Sequence, residues 1–510
     1  MYHLTSRMAL TGPLELDLVE RAWRLVVDRH DALRTSLVRR DGRIVQEVYG
    51  EVDAGLEIGV LEPSDEDALQ HAHLEAHARP FDLSVPPLVR LTALAAGDRV
   101  ELQLCGHHSV VDGASSAILW SELASAYSDL ASGRTPLFAD DAVPFAVFAA
   151  EQLAAIESGS WDDSVGHWRA RLALSAPTTL ESRARRPAQP THAGAMLRYE
   201  LGDAATAAAG AACRSLRVTP FAIVLAALQA AFVRGGAGSR IVLGVVADNR
   251  VSKRDRQIVG YLANTLAVAG HVSSADSLRD VVVRAGATTW DVLEHQKVPF
   301  PVVFPELDTG TQRLFADGLP VLLSVVGADD TVFEFGGAQG RLVRMPVTTA
   351  RSDLTLFVEL GPATWAIDAE YATELFDADA VRDLLVDVEE IIVAAGSDPD
   401  ARVGSVGGRC RATPRYAAAP QAQLRPLPDG LDDSVVTRIL GMCAAEFDVP
   451  PVAATDNLYF VGVHSLQLLR LVGLVEDEFG VFVDISAWLA EPTPAGLADQ
   501  VHQSRGPFAI

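Results

Sequence analysis

Few folds accommodate residues 99–127. Arg99-Val-Glu-Leu-Gln-Leu-Cys-Gly106 alternates apolar and polar side chains, the period of a half-buried strand. His107-His108-Ser109-Val110-Val111-Asp112-Gly113 follows, and from Ala114 onward Ile118, Leu119, Leu123 and Tyr127 fall at helical spacing. The chain therefore leaves a strand, carries two adjacent histidines on a loop and re-enters as a helix. Neighbouring side chains at a strand end point to different sides, so one ring can face a cavity while the other faces protein. An imidazole exchanges a proton near neutral pH. Asp112 can hold an arginine or the loop's own amides, and Gly113 permits a tight turn. A lone His-His before Asp-Gly is more often structural. The whole pattern, set between strand and helix, is far more specific.

Size and charge bound what else is feasible. A chain of 510 residues has room for about three compact units. The net charge of −25 argues against nucleic acid or an anionic membrane as partner. Cys105, Cys213, Cys410 and Cys443 show no disulfide or metal spacing, so a reduced, cytoplasmic setting and no metal are expected. Met1 to Arg7 lacks a hydrophobic signal core. The longest apolar run, Phe221 to Val233, is too short to span a bilayer and contains Gln229, so it reads as a buried helix.

Along the chain, Leu18, Val19, Ala22, Trp23, Val26 and Val27 mark a helix leading into Asp28-Arg-His-Asp-Ala-Leu-Arg-Thr-Ser-Leu37. A hairpin turns at Asp41-Gly42, and a helix covers about 65–78. Pro-, Thr-, Arg- and Ala-rich residues 176–193 suggest a boundary. Beyond it come a strand at Gly194–Leu201 and a helix capped by Thr219 with Pro220 in its first turn. Ile241–Val246 is a continuous apolar run, a buried strand. Residues 396–429 lose periodicity and read as a linker. After it the apolar spacing is helical throughout, with stripes at Val435, Val436, Ile439, Leu440, Cys443 and Phe447, and at Leu468, Leu469, Val472, Leu474 and Val475. A third short helix at Ile485, Trp488 and Leu489 and a fourth at Pro494–Val501, capped by Thr493, complete the series.

The His-His-x-x-x-Asp-Gly stretch resembles the signature of the condensation domains of nonribosomal peptide synthetases, relatives of chloramphenicol acetyltransferase. Other segments are similar to that family in the same order: Arg29-His-Asp-Ala-Leu-Arg34-Thr, Pro80-Phe-Asp-Leu83, His167-Trp168 with Leu172, Ala247-Asp-Asn-Arg250, Val259-Gly-Tyr-Leu-Ala-Asn-Thr265, His295-Gln-Lys-Val-Pro-Phe300 and Ser352-Asp-Leu-Thr-Leu356. The resemblance implies an α/β fold of two chloramphenicol-acetyltransferase-like lobes in a V with a tunnel between them. The lobes are expected at 1–175 and 176–395. His108 would take or position the proton of an attacking amine. His107 and Asp112 would hold the loop, and Gly113 would offer its N–H near the reaction centre. Arg29, Arg34 and Arg250 are ion-pair candidates, the first two for a buried carboxylate such as Asp112.

The segment 430–503 looks like a peptidyl carrier domain, a small all-α four-helix unit. In Asp456-Asn-Leu-Tyr-Phe-Val-Gly-Val-His-Ser-Leu466, five residues match that family's motif: Asp456, Gly462, His464, Ser465 and Leu466. Val463 replaces a glycine. Ser465 would carry 4'-phosphopantetheine. A serine opening a helix exposes its hydroxyl where the helix's positive end favours a phosphate. The segment holds eleven carboxylates and two arginines, a surface suited to basic patches on partner enzymes.

The resemblance implies amide formation between a donor acyl thioester on an upstream carrier and an acceptor amine. Ester formation with a hydroxyl acceptor, or a silent adaptor whose carrier alone works, are the other readings; an epimerase usually follows its carrier. No adenylation domain separates the two parts. The carrier is therefore expected to need a separate adenylating or loading enzyme, as well as a phosphopantetheinyl transferase. The family's extra N-terminal segment ending in Gln-x-x-x-Trp is expected before the part matching Tyr2, so the chain is expected either to begin late or to be a trimmed product.

Overall fold

A computed structural model describes residues 2–504 apart from 62–65, 97–98, 139–140, 174, 184–185, 188–189, 328–330, 346, 362–363, 415–432, 447–451, 457, 459–464, 485–487 and 489–491. The alternating segments become two six-stranded sheets. In the first, the strands run in the order Val332–Phe335, Ala338–Val343, His3–Thr11, Arg99–His107, Val89–Ala96 and Leu56–Leu61. Helices Leu16–Arg29 and Gly113–Ala131 pack against each other and supply Trp23, Trp120 and Tyr127 to a core shared with Met8, Leu102 and Leu104. The stripe Val19, Ala22, Trp23, Val26 and Val27 is wholly buried, as the spacing requires. At the tip of the Thr35–Val48 hairpin, Asp41 and Gly42 have φ of 50° and 74°, the left-handed pair of a two-residue turn.

The second sheet runs Asn264–His271, Arg240–Ala247, Val321–Val326, Leu354–Leu360, Trp365–Ala372 and Gly194–Glu200. Helix Pro220–Gly235 lies within this lobe, and Ala222 to Phe232 are all buried. Its first turn is closed by Thr219, whose hydroxyl accepts from the Ala222 N–H at 3.3 Å. Among the described residues no single helix is long and apolar enough to cross a membrane. All four cysteines are free thiols.

Three boundaries differ from the sequence reading. Val332–Val343 lies in the second half of the chain, yet it pairs with His3–Thr11 and completes the first lobe's sheet. Helix Asp162–Leu172 belongs by position to the first half, yet Trp168 and Leu172 are buried in the second lobe's core. Residues 396–414 are not linker. Val403 and Cys410 are buried, and Ala412–Pro414 pairs with Thr178–Leu180. That strap lacks periodicity because it is anchored residue by residue. Gly407 and Gly408 turn it at φ of 69° and 113°, beside the buried Asp387, which accepts from the N–H groups of Arg409 and Cys410. The rest of the expected linker, 415–429, lies outside the described residues.

The carrier segment forms helices Asp433–Glu446, Ser465–Phe479 and Pro494–Ser504 around Ile439, Cys443, Leu468, Val472, Trp488 and Leu497. Thr493 caps the last of these through the Gly496 N–H at 3.0 Å. The short helix expected around Ile485–Leu489 falls largely outside the described residues.

Phe335 ties the crossing hairpin to the first lobe. Its side chain is fully buried, with its ring centroid 5.7 Å from that of Tyr127. Phe335→Ala should cost about 3–5 kcal/mol, read as a lowered denaturation midpoint.

Candidate active site

The strand Arg99–His107 delivers the histidines to the end of the first sheet, where the His108 N–H donates to the Tyr2 carbonyl at 2.8 Å. The two rings have different surroundings. His107 lies across from His3 on the neighbouring strand, and its Nδ1 is 2.8 Å from the Ser109 hydroxyl. Burial, reinforced by His3 and His108, lowers its pKa to about 4. His107 is thus a neutral packing ring that shapes the turn.

His108 is bound through one nitrogen only. Its Nδ1 stands 2.8 Å from the Val111 carbonyl, which can only accept, so the proton is on Nδ1. Nε2 then carries the lone pair. Among the described residues it makes no hydrogen bond to another residue. Burial, then the charge of Arg351, lowers the His108 pKa from its usual value, which keeps the ring neutral and basic at pH 7. Its ring lies 4.8 Å from that of Tyr261 in the second lobe.

Asp112 does not touch His108 in the manner of a catalytic triad. It is 1% exposed and accepts six hydrogen bonds. Two come from the guanidinium of Arg250, each at 2.9 Å. Two come from the N–H and hydroxyl of Ser115, at 2.9 and 2.7 Å, so the carboxylate also caps the helix after the loop. The last two come from the N–H groups of Leu262 and Ala263, at 3.0 and 3.1 Å. Burial alone would raise this carboxyl; Arg250 and Ser115 outweigh it and hold the group below the usual carboxylate range. Ser115 adds a second tie, its hydroxyl accepting from the Gly260 N–H at 3.0 Å and lying 2.9 Å from the Gly260 carbonyl. The sequence reading missed Ser115, although a serine three residues past an N-cap aspartate is a legible local signal.

Other assignments change. Arg29 bonds Glu122 at 3.0 Å and lies over the Phe138 ring, and Arg34 binds the carbonyls of Tyr49 and Gly50, so neither reaches Asp112. Asp31 receives the Phe145 and Ala146 N–H groups at 2.8 and 3.1 Å, closing the first turn of another helix. Gly113 is not in the left-handed region; it is the first helical residue, with open space where a Cβ would stand. Asn264 donates to the carbonyls of Gln296 and Val298, both at 2.8 Å, which explains how two motifs distant in sequence work together.

Two cavities open near the junction of the lobes, the first almost wholly in the second lobe, and His108 lines neither. One, of about 570 Å³, is lined by Tyr2, Thr265, Phe300, Leu319 and Arg351 among others. The other, of about 340 Å³, is lined by His3, Thr5, His77, Met196, Arg351 and Glu370 among others. In the carrier segment Ser465 is the first residue of its helix, and a helix N-terminus favours a phosphate group. Gly462, Val463 and His464 lie outside the described residues.

Two α/β lobes, each on a six-stranded sheet and joined at a histidine loop, put the protein in the class of two-lobed α/β folds. Within that class the chain belongs to the condensation domain family, whose profile matches residues 1–407. A second profile, the phosphopantetheine attachment site, matches residues 437–501. The chain is 29% identical over 495 residues to the nonribosomal peptide synthetase CymA of Salinispora arenicola, covering 94% of this chain and 6% of that protein. It is 28% identical over 408 residues to a linear gramicidin synthase polypeptide of Brevibacillus parabrevis, covering 78% of this chain and 5% of that one. The chain thus spans about one-twentieth of the length of these relatives. Among solved structures, the X-domain from teicoplanin biosynthesis shares the fold, with a TM-score of 0.71 at 23% identity over 79% of this chain and 92% of that one.

Asp112→Ala would leave the Arg250 guanidinium buried without its carboxylate. Unfolding measured in urea should show a loss of about 3–5 kcal/mol.

Proposed function

We propose that the protein forms an amide bond between a donor acyl thioester on an upstream carrier and an acceptor amine tethered at Ser465. The observation that carries this reading is the state of His108: neutral, oriented through Nδ1 by the Val111 carbonyl, and set against Tyr261 of the other lobe. A phosphopantetheine arm on Ser465 would supply the thiol that holds the acceptor as a thioester.

A thioester is already activated toward an amine, so holding the two partners together accounts for much of the rate. His108 Nε2 takes the proton that the attacking nitrogen loses as the C–N bond forms. When the tetrahedral intermediate collapses, the C–S bond breaks and the same proton passes to the departing thiolate. His107, Asp112 and Arg250 hold the loop and do not meet the substrate. The open space at Gly113 leaves room beside the loop for the reacting groups. The partners of this reading are the upstream carrier, a loading enzyme and a phosphopantetheinyl transferase.

With both carriers preloaded, His108→Ala should reduce product formation by about 10²–10⁴-fold, measured by mass spectrometry of the tethered species. The acid limb of the wild-type pH–rate profile should fall below pH 6.5, the ordinary histidine value, because the folded-state pKa is lowered and the base is lost only on further acidification. Normal turnover by His108→Ala would refute the assignment. Ser465→Ala should gain no mass on incubation with a phosphopantetheinyl transferase and coenzyme A, whereas the wild type gains one arm.

A further inference from the structure

Arg351 stands at a crossing point that the reaction as described does not use. It is exposed, on the approach to the strand Leu354–Leu360, and it lines both cavities near the junction of the lobes. Among the described residues its guanidinium takes part in no hydrogen bond or ion pair; only its backbone N–H is engaged, with Glu370 at 3.4 Å. The arginines around it differ. Arg344 pairs with Glu359 and Asp368, Arg198 with Glu359, Asp368 and Glu200, and Arg186 with Asp353. Those acids are therefore already committed; Glu370 beside the Arg351 backbone is the exception, and burial raises its pKa.

The charge of Arg351 is felt on both sides of the cleft. Burial lowers the pKa of His77 and His108 and Arg351 adds to it; burial raises that of Tyr261 and Glu370 and Arg351 opposes it. The guanidinium is exposed, makes no ion pair among the described residues, and lines cavities that also hold Tyr2 and His3, next to the histidine loop. A planar, permanently charged fork in that state matches a carboxylate, which it can bind through two parallel hydrogen bonds. The phosphate of a phosphopantetheine arm does not fit this place, because it lies at the opposite end of the arm from the thioester.

Resting on the condensation reading above, we propose that Arg351 anchors a free carboxylate on one of the two building blocks, a second acid group beyond the one held as a thioester. The substrate class is then a dicarboxylate-derived unit, either the donor acyl group or the acceptor amino acid. A unit without that second acid leaves the guanidinium in water and loses the bidentate contact.

The test uses the full chain and soluble, amide-linked pantetheine probes in two pairs. Glutaryl- and glutaramoyl-pantetheine represent the donor; glutamyl- and glutaminyl-pantetheine represent the acceptor. The expected result is that the acid member of one pair binds the wild type roughly tenfold more tightly than its amide. The pair that discriminates names the building block. Arg351→Gln should abolish the preference while leaving affinity for the amide member unchanged, and Arg351→Lys should restore part of it. Equal affinity within both pairs, or a preference that survives in Arg351→Gln, overturns the proposal. So does a uniform fall in kcat across all preloaded substrates in Arg351→Gln with no change in probe binding, since that result assigns Arg351 to the oxyanion instead. The condensation reading fails separately: preloaded wild-type protein would make no product although the probes still discriminate.

Discussion

The ion pair between Asp112 and Arg250 joins the two halves of the condensation domain at its most sensitive place. The carboxylate closes the helix behind the histidine loop and accepts from the segment 250–263 of the other lobe. Two buried charges are costly to desolvate, and a pair of this kind adds little net stability compared with apolar residues of the same shape. What it contributes is geometry. With every acceptor position on Asp112 in use, the loop has one arrangement, and the His108 ring is fixed relative to Tyr261 across the junction.

That division of labour explains the neighbouring histidines. One is sunk among His3 and Phe81 and is kept from protonating near neutral pH. The other gives its Nδ1 proton to a backbone carbonyl and keeps its second nitrogen free. Such an imidazole needs no carboxylate partner. The usual reason for placing an aspartate near a histidine, a hydrogen bond to its ring, is absent here; Asp112 bonds Arg250, Ser115, Leu262 and Ala263 instead.

Much of the fold was legible in the chain because local periodicity reports local burial. The stripe of helix Leu16–Arg29, the all-apolar helix from Pro220 and the alternation before His107 each carry their own evidence. Pairings between distant charges were not legible. Arg29 and Arg34 stand in a stretch rich in polar residues and were as plausible as Arg250, which lies 138 positions from Asp112; only the fold brings the right one close. The strap 396–414 was misread for a related reason. It is held by single anchors such as Cys410 and by the buried Asp387, and single anchors leave no period in the sequence. The open guanidinium of Arg351 was invisible, since its meaning depends on which neighbouring acids are already taken.

The hairpin Val332–Val343 leaves one lobe to finish the sheet of the other, and helix Asp162–Leu172 makes the reverse exchange. Each half therefore keeps part of the other's interior. Cutting the polypeptide at 176–193 would strip two edge strands from the first half and bare an apolar flank on the second. Natural recombination, or an engineer grafting modules between assembly lines, must move the pair as one heritable block, with any seam placed beyond the strap.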